Sequence, residues 1–408
     1  MPTTVIGVGA LVDIAYVQES SALAGTAGAG EYASTPAGQS WPLIRNVRTS
    51  LNFQKDTFRS QERRKDRQTS DLRHGYHRVT GDLEVELSVQ SFDDFLEATL
   101  GGTWASGVTA GAFSSVTTDA GLSRFTVGSA TFLTSGFKVG DIFTVSGSNK
   151  TELNARYVAA SIAETKIRVQ GSTIASAVTL ASGVTFTVTG KKVGVGNIYR
   201  SYTIERNFTD LDLYQALKGC RFNSATFRVP PSGLVGVTFG IMGQTQPAWA
   251  TVSLASAYSS APVTSPVAAV DGALYEGDVL MAIITGLEFS VNNNMGGPQV
   301  VGRNTTPNML FGRTQEVTGT LTALFVDQTQ LNKFVNETES CIDVRLQDAS
   351  SLQTAGFIRI RFPRVKYTGG DLDDSVDTGI PITMPFTALK PTATDDDGSS
   401  IVIQRSNG

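Results

Sequence analysis

The sequence predicts a mainly β fold: two tandem β-sandwich or barrel units, each with a short helix, plus a small inserted β domain. Three observations carry that reading. Apolar residues alternate with polar or small ones along many short runs, helical periodicity is brief, and one strand–turn–helix segment occurs twice.

The alternating runs come first. Leu51/Phe53, Leu83/Val85/Leu87/Val89, Val235/Val237/Phe239/Ile241 and Ile358/Ile360/Phe362 each mark a strand with one buried face. The clearest helix is SFDDFLEATL (91–100), which places Phe92, Phe95, Leu96 and Thr99 on one stripe. Ser91 and Asp94 have the spacing of an N-terminal capping box, and Gly101-Gly102 ends the run.

The chain also matches itself. VTGDLEVEL (79–87) followed by SFDDFLEATL reappears as VTGTLTALF (317–325) followed by TQLNKFVNET (329–338). Upstream, SLNF (50–53) and GLEF (286–289) precede the two copies across polar loops of similar length. Downstream, FNSATFRVPPSGLVGVTFGIM (222–242) and the run from 362 to 389 each supply another pair of strands. The first unit is therefore assigned to 1–102 and 196–250, and the second to 276–408. Between them, 251–275 reads as a Ser/Ala/Pro-rich linker. The segment 103–195 has its own strand–turn rhythm (SRFTVGSATF, FKVGDIFTVSG, TKIRVQG, VTFTVTG) and reads as a small β domain inserted into a loop of the first unit, on the outer surface. The ends, 1–40 and 390–408, read either as disordered or as arms that order against neighbours.

Composition excludes several functions. Lys and Arg total 33 against 37 Asp and Glu, a net charge of -4, so a chain steered to nucleic acid by overall charge is not expected. Charged residues make up only 17%, which suits a surface devoted to protein contacts. Cys220 and Cys341 have no paired spacing, which supports neither a disulfide framework nor a zinc site. The N-terminal run lacks a basic flank and is broken by Asp13 and Glu19, which argues against a leader peptide or a membrane span and for a reducing cytoplasm.

Candidate catalytic motifs fail in turn, and no enzyme or cofactor is expected. IGVGAL (6–11) and VGVGN (193–197) lack the third glycine and the following helix of a dinucleotide loop. DLDDSVDTG (371–379) lacks the glycine and terminal glutamate of a calcium loop and reads as a solvated hairpin tip. His74 and His77 have no nucleophile or carboxylate constellation near them.

Four ordered blocks do carry a signal. The run 50–104, RSYTIERNFTDLDLYQALKGCRFNSATFRVP (200–230), VTGTLTALFVDQTQLNKFVNETES (317–340) and RFPRVKYTGGD (361–371) resemble, in that order, the major tail tube proteins of long-tailed bacteriophages. The resemblance covers nearly everything outside 103–195. It implies a virion protein, assembled in the host cytoplasm, whose β-sandwich units form rings of six. The rings stack into a hollow tube through which double-stranded DNA passes. It also implies tape measure and tail terminator or tip proteins as partners, and no membrane.

One chain carrying two units then implies a homotrimeric, pseudo-hexameric ring. Four channel-facing strands per unit, as the resemblance implies, give about 24 strands. At roughly 4.8 Å spacing and 40° tilt the backbone diameter is about 45–50 Å. About 35–40 Å remains between side chains, enough for a duplex roughly 20 Å wide.

Alternation assigns faces within the unit. Leu83, Val85, Leu87 and Val89 point to the core, and Asp82, Glu84, Glu86 and Ser88 point away. The expected lumen lining is Asp82, Glu84 and Glu86, joined by Asn52 and Gln54, with Glu288, Ser290, Thr320 and Thr322 in the second unit. Carboxylates there repel phosphate, so DNA slides instead of binding. RSQERRKDRQ (59–68), in the loop 55–78, interleaves Asp and Glu with its basic residues, which favours protein contact over phosphate. Arg59, Glu62, Arg63, Arg64, Lys65, Asp66 and Arg67 are the expected inter-ring contacts, since the resemblance implies that this loop reaches the adjacent ring. A nucleic-acid-binding module and a sheath-like or host-surface-binding virion protein are the competing readings.

Overall fold

Alternating residues do form the strands, and nearly all of them join antiparallel. The computed structural model describes residues 12–407 apart from 21–35, 37, 64, 130, 172–173, 175–176, 181–182, 278, 282, 307–309, 311, 313 and 374–378. The first half contains β1 (Val12–Gln18), β2 (Asn52–Arg59), β3 (Leu72–Glu86), α1 (Asp93–Leu100), β4 (Lys191–Gly194), β5 (Tyr202–Phe208), β6 (Leu213–Val229) and β7 (Gly236–Gly243). The second contains β8 (Ala268–Glu276), β9 (Ile284–Asn292), β10 (Glu316–Leu324), α2 (Thr329–Val335), β11 (Ser340–Gln347), β12 (Phe357–Tyr367), β13 (Pro381–Ala388) and β14 (Val402–Arg405).

The same pairings recur in both halves. The order β1–β5–β6 in the first matches β8–β11–β12 in the second. Likewise β2–β3–β7–β6 matches β9–β10–β13–β12. Strand β6 serves two layers: its first part pairs with β5, its second with β7 on one edge and β9 on the other. The β6–β9 pairing joins the halves, so a run of eight strands continues from β2 through β3, β7, β6, β9, β10 and β13 to the short strand Asp371–Leu372.

The structural repeat differs from the match read in sequence by two residues. Asn52 stands opposite Thr80, and Ser290 stands opposite Thr318. Since VTG at 79 and VTG at 317 coincide, Leu51 corresponds to Phe289, whereas aligning SLNF with GLEF pairs Phe53 with Phe289. A slip of two keeps every side chain on its face, so alternation alone does not reveal it. The glycines settle the register. A Cβ on Gly81 would strike the backbone of Ser50 and Leu51, and one on Gly319 would strike the Glu288 carbonyl and Phe289.

The helices share position but not packing. In α1, Phe95 and Leu96 are buried, and Phe95 stacks on Phe222 with ring centres 4.6 Å apart. The expected capping box does not form: the helix starts at Asp93, and the Ser91 hydroxyl instead bonds those of Ser88 and Thr264. Gly101 ends it with φ 66, a left-handed cap. No residue of α2 is buried. Lys333, at the place Phe95 holds in α1, donates instead to the Glu276 carboxylate.

Residues 107–190 build an eight-stranded antiparallel sheet with a separate core around Phe113, Phe125, Phe132, Phe143 and Phe186. The host sheet claims the flanks, since Ala105–Ser106 pairs with β4, and β4 pairs with β14. The 251–275 stretch is less linker than its composition implies: Ala257–Ser259 pairs in parallel with Ser40–Pro42, and β8 already begins at Ala268. The end of the chain is ordered where disorder was one expectation. Strand β14 lies between β4 and β12 with Ile403 buried, and two of the three DDDG carboxylates have partners: Asp396 binds Arg361 at 3.0 Å and Asp397 binds Lys192 at 3.1 Å. Of the N-terminal expectation for 1–40, residues 1–11, 21–35 and 37 lie outside the described residues.

Candidate functional site

The eight-strand run has one apolar and one polar face. Leu83, Val85, Phe239, Phe227, Phe289 and Leu321 are buried on the first. On the second, Asn52, Gln54, Asp82, Glu86 and Glu288 are exposed, and Glu84, Ser290, Thr320 and Thr322 are half-buried. The sequence-predicted lining residues are thus brought to a single surface. Ser88, expected to extend it, is buried beyond the end of β3. Across the β6–β9 junction of the two halves the face is hollowed into a depression of about 780 Å³ lined by Thr226, Arg228, Glu288, Ser290, Thr320 and Thr322, among others.

Charge is distributed unevenly over this face. Gly240 and Gly236 stand opposite Asp82 and Glu86, so no side chain on β7 stands directly opposite those carboxylates. Neither has an ion-pair partner among the described residues. Glu84 is paired with Arg48 at 3.4 Å, and Glu288 with Arg228 at 3.2 Å. Sequence reasoning missed both arginines. Arg228 was legible as the polar neighbour of Phe227 in a strand, but Arg48 precedes any obvious alternation. The polar face is therefore a threonine-rich surface with two unpaired carboxylates, less uniformly acidic than the sequence implied.

The basic decapeptide sits at the tip of a hairpin arm. Strands β2 and β3 run on to Arg59 and from Leu72, so the turn is 60–71, shorter than the loop 55–78 read from sequence. The arm's stem carries a half-buried ion pair, Arg78–Asp56 at 3.1 Å, and an exposed pair, Arg73–Asp71 at 3.4 Å, sits where β3 leaves the turn. At the tip, Arg59 donates to the Thr69 hydroxyl, the Glu62 amide to the Ser60 hydroxyl, and the Gln68 amide to Asp66. Arg63, Lys65 and Arg67 are exposed and form no ion pair among the described residues. Arg64 lies outside the described residues. The corresponding segment of the second half behaves differently. It lies over the first half, where Asn304 accepts from the His77 amide, Thr305 donates to the Gln244 carbonyl and Asn293 donates to the Thr99 carbonyl.

The His77 ring packs 5.2 Å from that of Phe53, and burial together with Lys55 lowers its pKa. Burial pushes the Cys220 thiol up, away from the reactive thiolate. No group of three or more His, Cys, Asp or Glu residues suited to a metal ion occurs among the described residues. Of DLDDSVDTG, 374–378 lies outside the described residues, while Asp371 and Leu372 form an exposed edge strand. No helix among the described residues is long and apolar enough to cross a membrane.

The chain is thus a duplicated β-sandwich with a continuous polar sheet face and a projecting arm. The family model described as "Phage tail tube protein" matches residues 9–388, nearly the whole chain, and the chain belongs to that family. It is accordingly a component of the virion tail. No curated protein matches it.

Proposed function

We propose that three copies close into a pseudo-hexameric ring, that rings stack into the hollow tail tube, and that the polar face of the eight-strand run lines the channel for double-stranded DNA. One observation carries the reading. The two halves contribute four strands each to an unbroken run, and three such runs match the roughly 24 strands needed for a channel that admits a duplex. Unpaired Asp82 and Glu86, amid threonines, favour passage over retention, because cationic contacts create sequence-independent affinity.

The inserted 107–190 sheet belongs on the outer wall. Its polar contacts include Arg345, Gln353, Gln404, Lys192 and the carbonyls of Leu352, Ala355, Thr394 and Asp395, none of which contributes to the polar face. The arm tip, 59–67, is assigned to the adjacent ring, where its cations meet carboxylates and carbonyls. Tape measure and terminator or tip proteins are the further partners, and host cytoplasm the place of assembly, as the family implies. The protein has no enzymatic role in this reading.

Asp82→Lys combined with Glu86→Lys tests the lining. Parent tubes are expected to release DNA at physiological salt, and the variant tubes to retain it in a salt-sensitive manner. Parent tubes that bind DNA as firmly as the variant would contradict the assignment.

A further inference from the structure

The seam between the two halves of one chain has the form required of a seam between chains. There, β6 runs antiparallel to β9 with Thr226 opposite Ser290, Phe227 opposite Phe289 and Arg228 opposite Glu288. The two phenylalanine rings stack with centres 4.5 Å apart, and the ion pair spans 3.2 Å. Each outer edge of the eight-strand run corresponds to one side of this seam. Asp371 stands opposite Thr383 as Thr226 stands opposite Thr238, and these threonines face the equivalent positions Thr322 and Glu84. Asp371 therefore corresponds to Thr226, and Leu372 to Phe227. On the other edge Asn52 corresponds to Ser290 and Leu51 to Phe289.

Side chains occupy the place of a missing strand along the first edge. The Ser50 amide donates inward to the Asp82 carbonyl, so the amides of Leu51 and Phe53 face outward. They donate to side-chain oxygens of their own segment, Thr49 Oγ1 at 3.3 Å and Asn52 Oδ1 at 2.8 Å. The Leu51 carbonyl accepts from Arg206. Leu372, on the opposite edge, is 45% exposed, whereas its counterpart Phe227 is buried by the seam. Unpaired edges of this kind are templates for a further strand.

Building on the ring reading, we propose that the edge 49–53 of one copy receives the edge 370–373 of a second copy as an antiparallel strand, with Asp371 opposite Asn52 and Leu372 opposite Leu51. Backbone bonds replace the three side-chain stand-ins, and Leu372 is covered as Phe227 is at the internal seam. In this register residue 52 turns its amide away from the incoming strand. Asn52 and Asp371 thus form a non-hydrogen-bonded pair, with Cα atoms about 4.5 Å apart, inside the range a disulfide spans.

The test is Asn52→Cys with Asp371→Cys in the full chain, mildly oxidised and run on a non-reducing denaturing gel. A ladder ending at a covalent trimer is expected. The parent, with Cys220 buried and Cys341 half-buried, stays monomeric on the same gel. Gln54→Cys with Asp371→Cys represents the register obtained by aligning SLNF with GLEF, and is expected to stay monomeric. Rings in the microscope without a cross-link in the first pair, or a ladder from the second pair instead, overturns the register while leaving the ring reading intact. No rings and no cross-link overturns both.

Discussion

At the scale of single residues, a buried ion network fastens the β8–β11–β12 layer of the second half. Arg359 grips Asp343 with two bonds, at 2.8 and 2.9 Å, and both side chains are 1% exposed. Burial alone would raise the Asp343 carboxyl, but Arg359 and Arg345 outweigh it and hold the group below the usual carboxylate range. Removing one member strands the other, so Asp343→Ala is expected to cost about 3–5 kcal/mol in thermal or denaturant unfolding. A carboxyl lowered on folding stabilises above its unfolded value, roughly pH 4, and loses that contribution as pH falls through the lowered folded value. The stability gap between parent and variant should therefore be full at neutral pH and close on acidification. Gly140 fits the same network: its φ is +86, and a Cβ there would collide with the Arg359 guanidinium. None of this was legible in the sequence, because Arg359 and Arg361 alternate with apolar residues just as solvent-facing residues do. Only the 107–190 sheet and the DDDG segment, distant in sequence, reveal that this face is covered.

At the scale of elements, alternation placed the strands well because period two is local. It identified the buried Leu83/Val85/Leu87 face and the polar Asp82/Glu84/Glu86 face without any tertiary information. Register was less legible, as the two-residue slip between SLNF and GLEF shows, because glycine contacts with a neighbouring strand decide it. The capping of α1 was also misread, since Thr264, far along the chain, competes for the Ser91 hydroxyl. Strand β14 was missed for a related reason: four residues near a polar terminus carry no period, yet β4 and β12 pair with both its edges. Ile403→Ala is expected to destabilise by about 2–5 kcal/mol, read as a lowered unfolding midpoint. The arm supplies a separate prediction. Arg63→Glu with Arg67→Glu should leave rings intact while preventing their stacking into tubes; tubes of normal length from this variant would refute the inter-ring assignment. Each exposed pair contributes only about 0–1 kcal/mol, so several copies per ring are needed for the effect.

At the scale of the whole molecule, duplication governs the architecture. Two halves with matching strand orders meet through a backbone seam, and each carries the same polar face toward one side. The halves have diverged where the repeat meets other elements: aromatic packing holds α1, an ion pair and Leu331 hold α2, and among the described residues the arm projects from the first half alone. Closure by three copies is tested most directly by the mass of the assembled ring. Native mass measurement of rings seen as hollow stacks in the microscope should return three chains of 43.3 kDa. Rings of six chains, or a protein that remains monomeric under all assembly conditions, would contradict it.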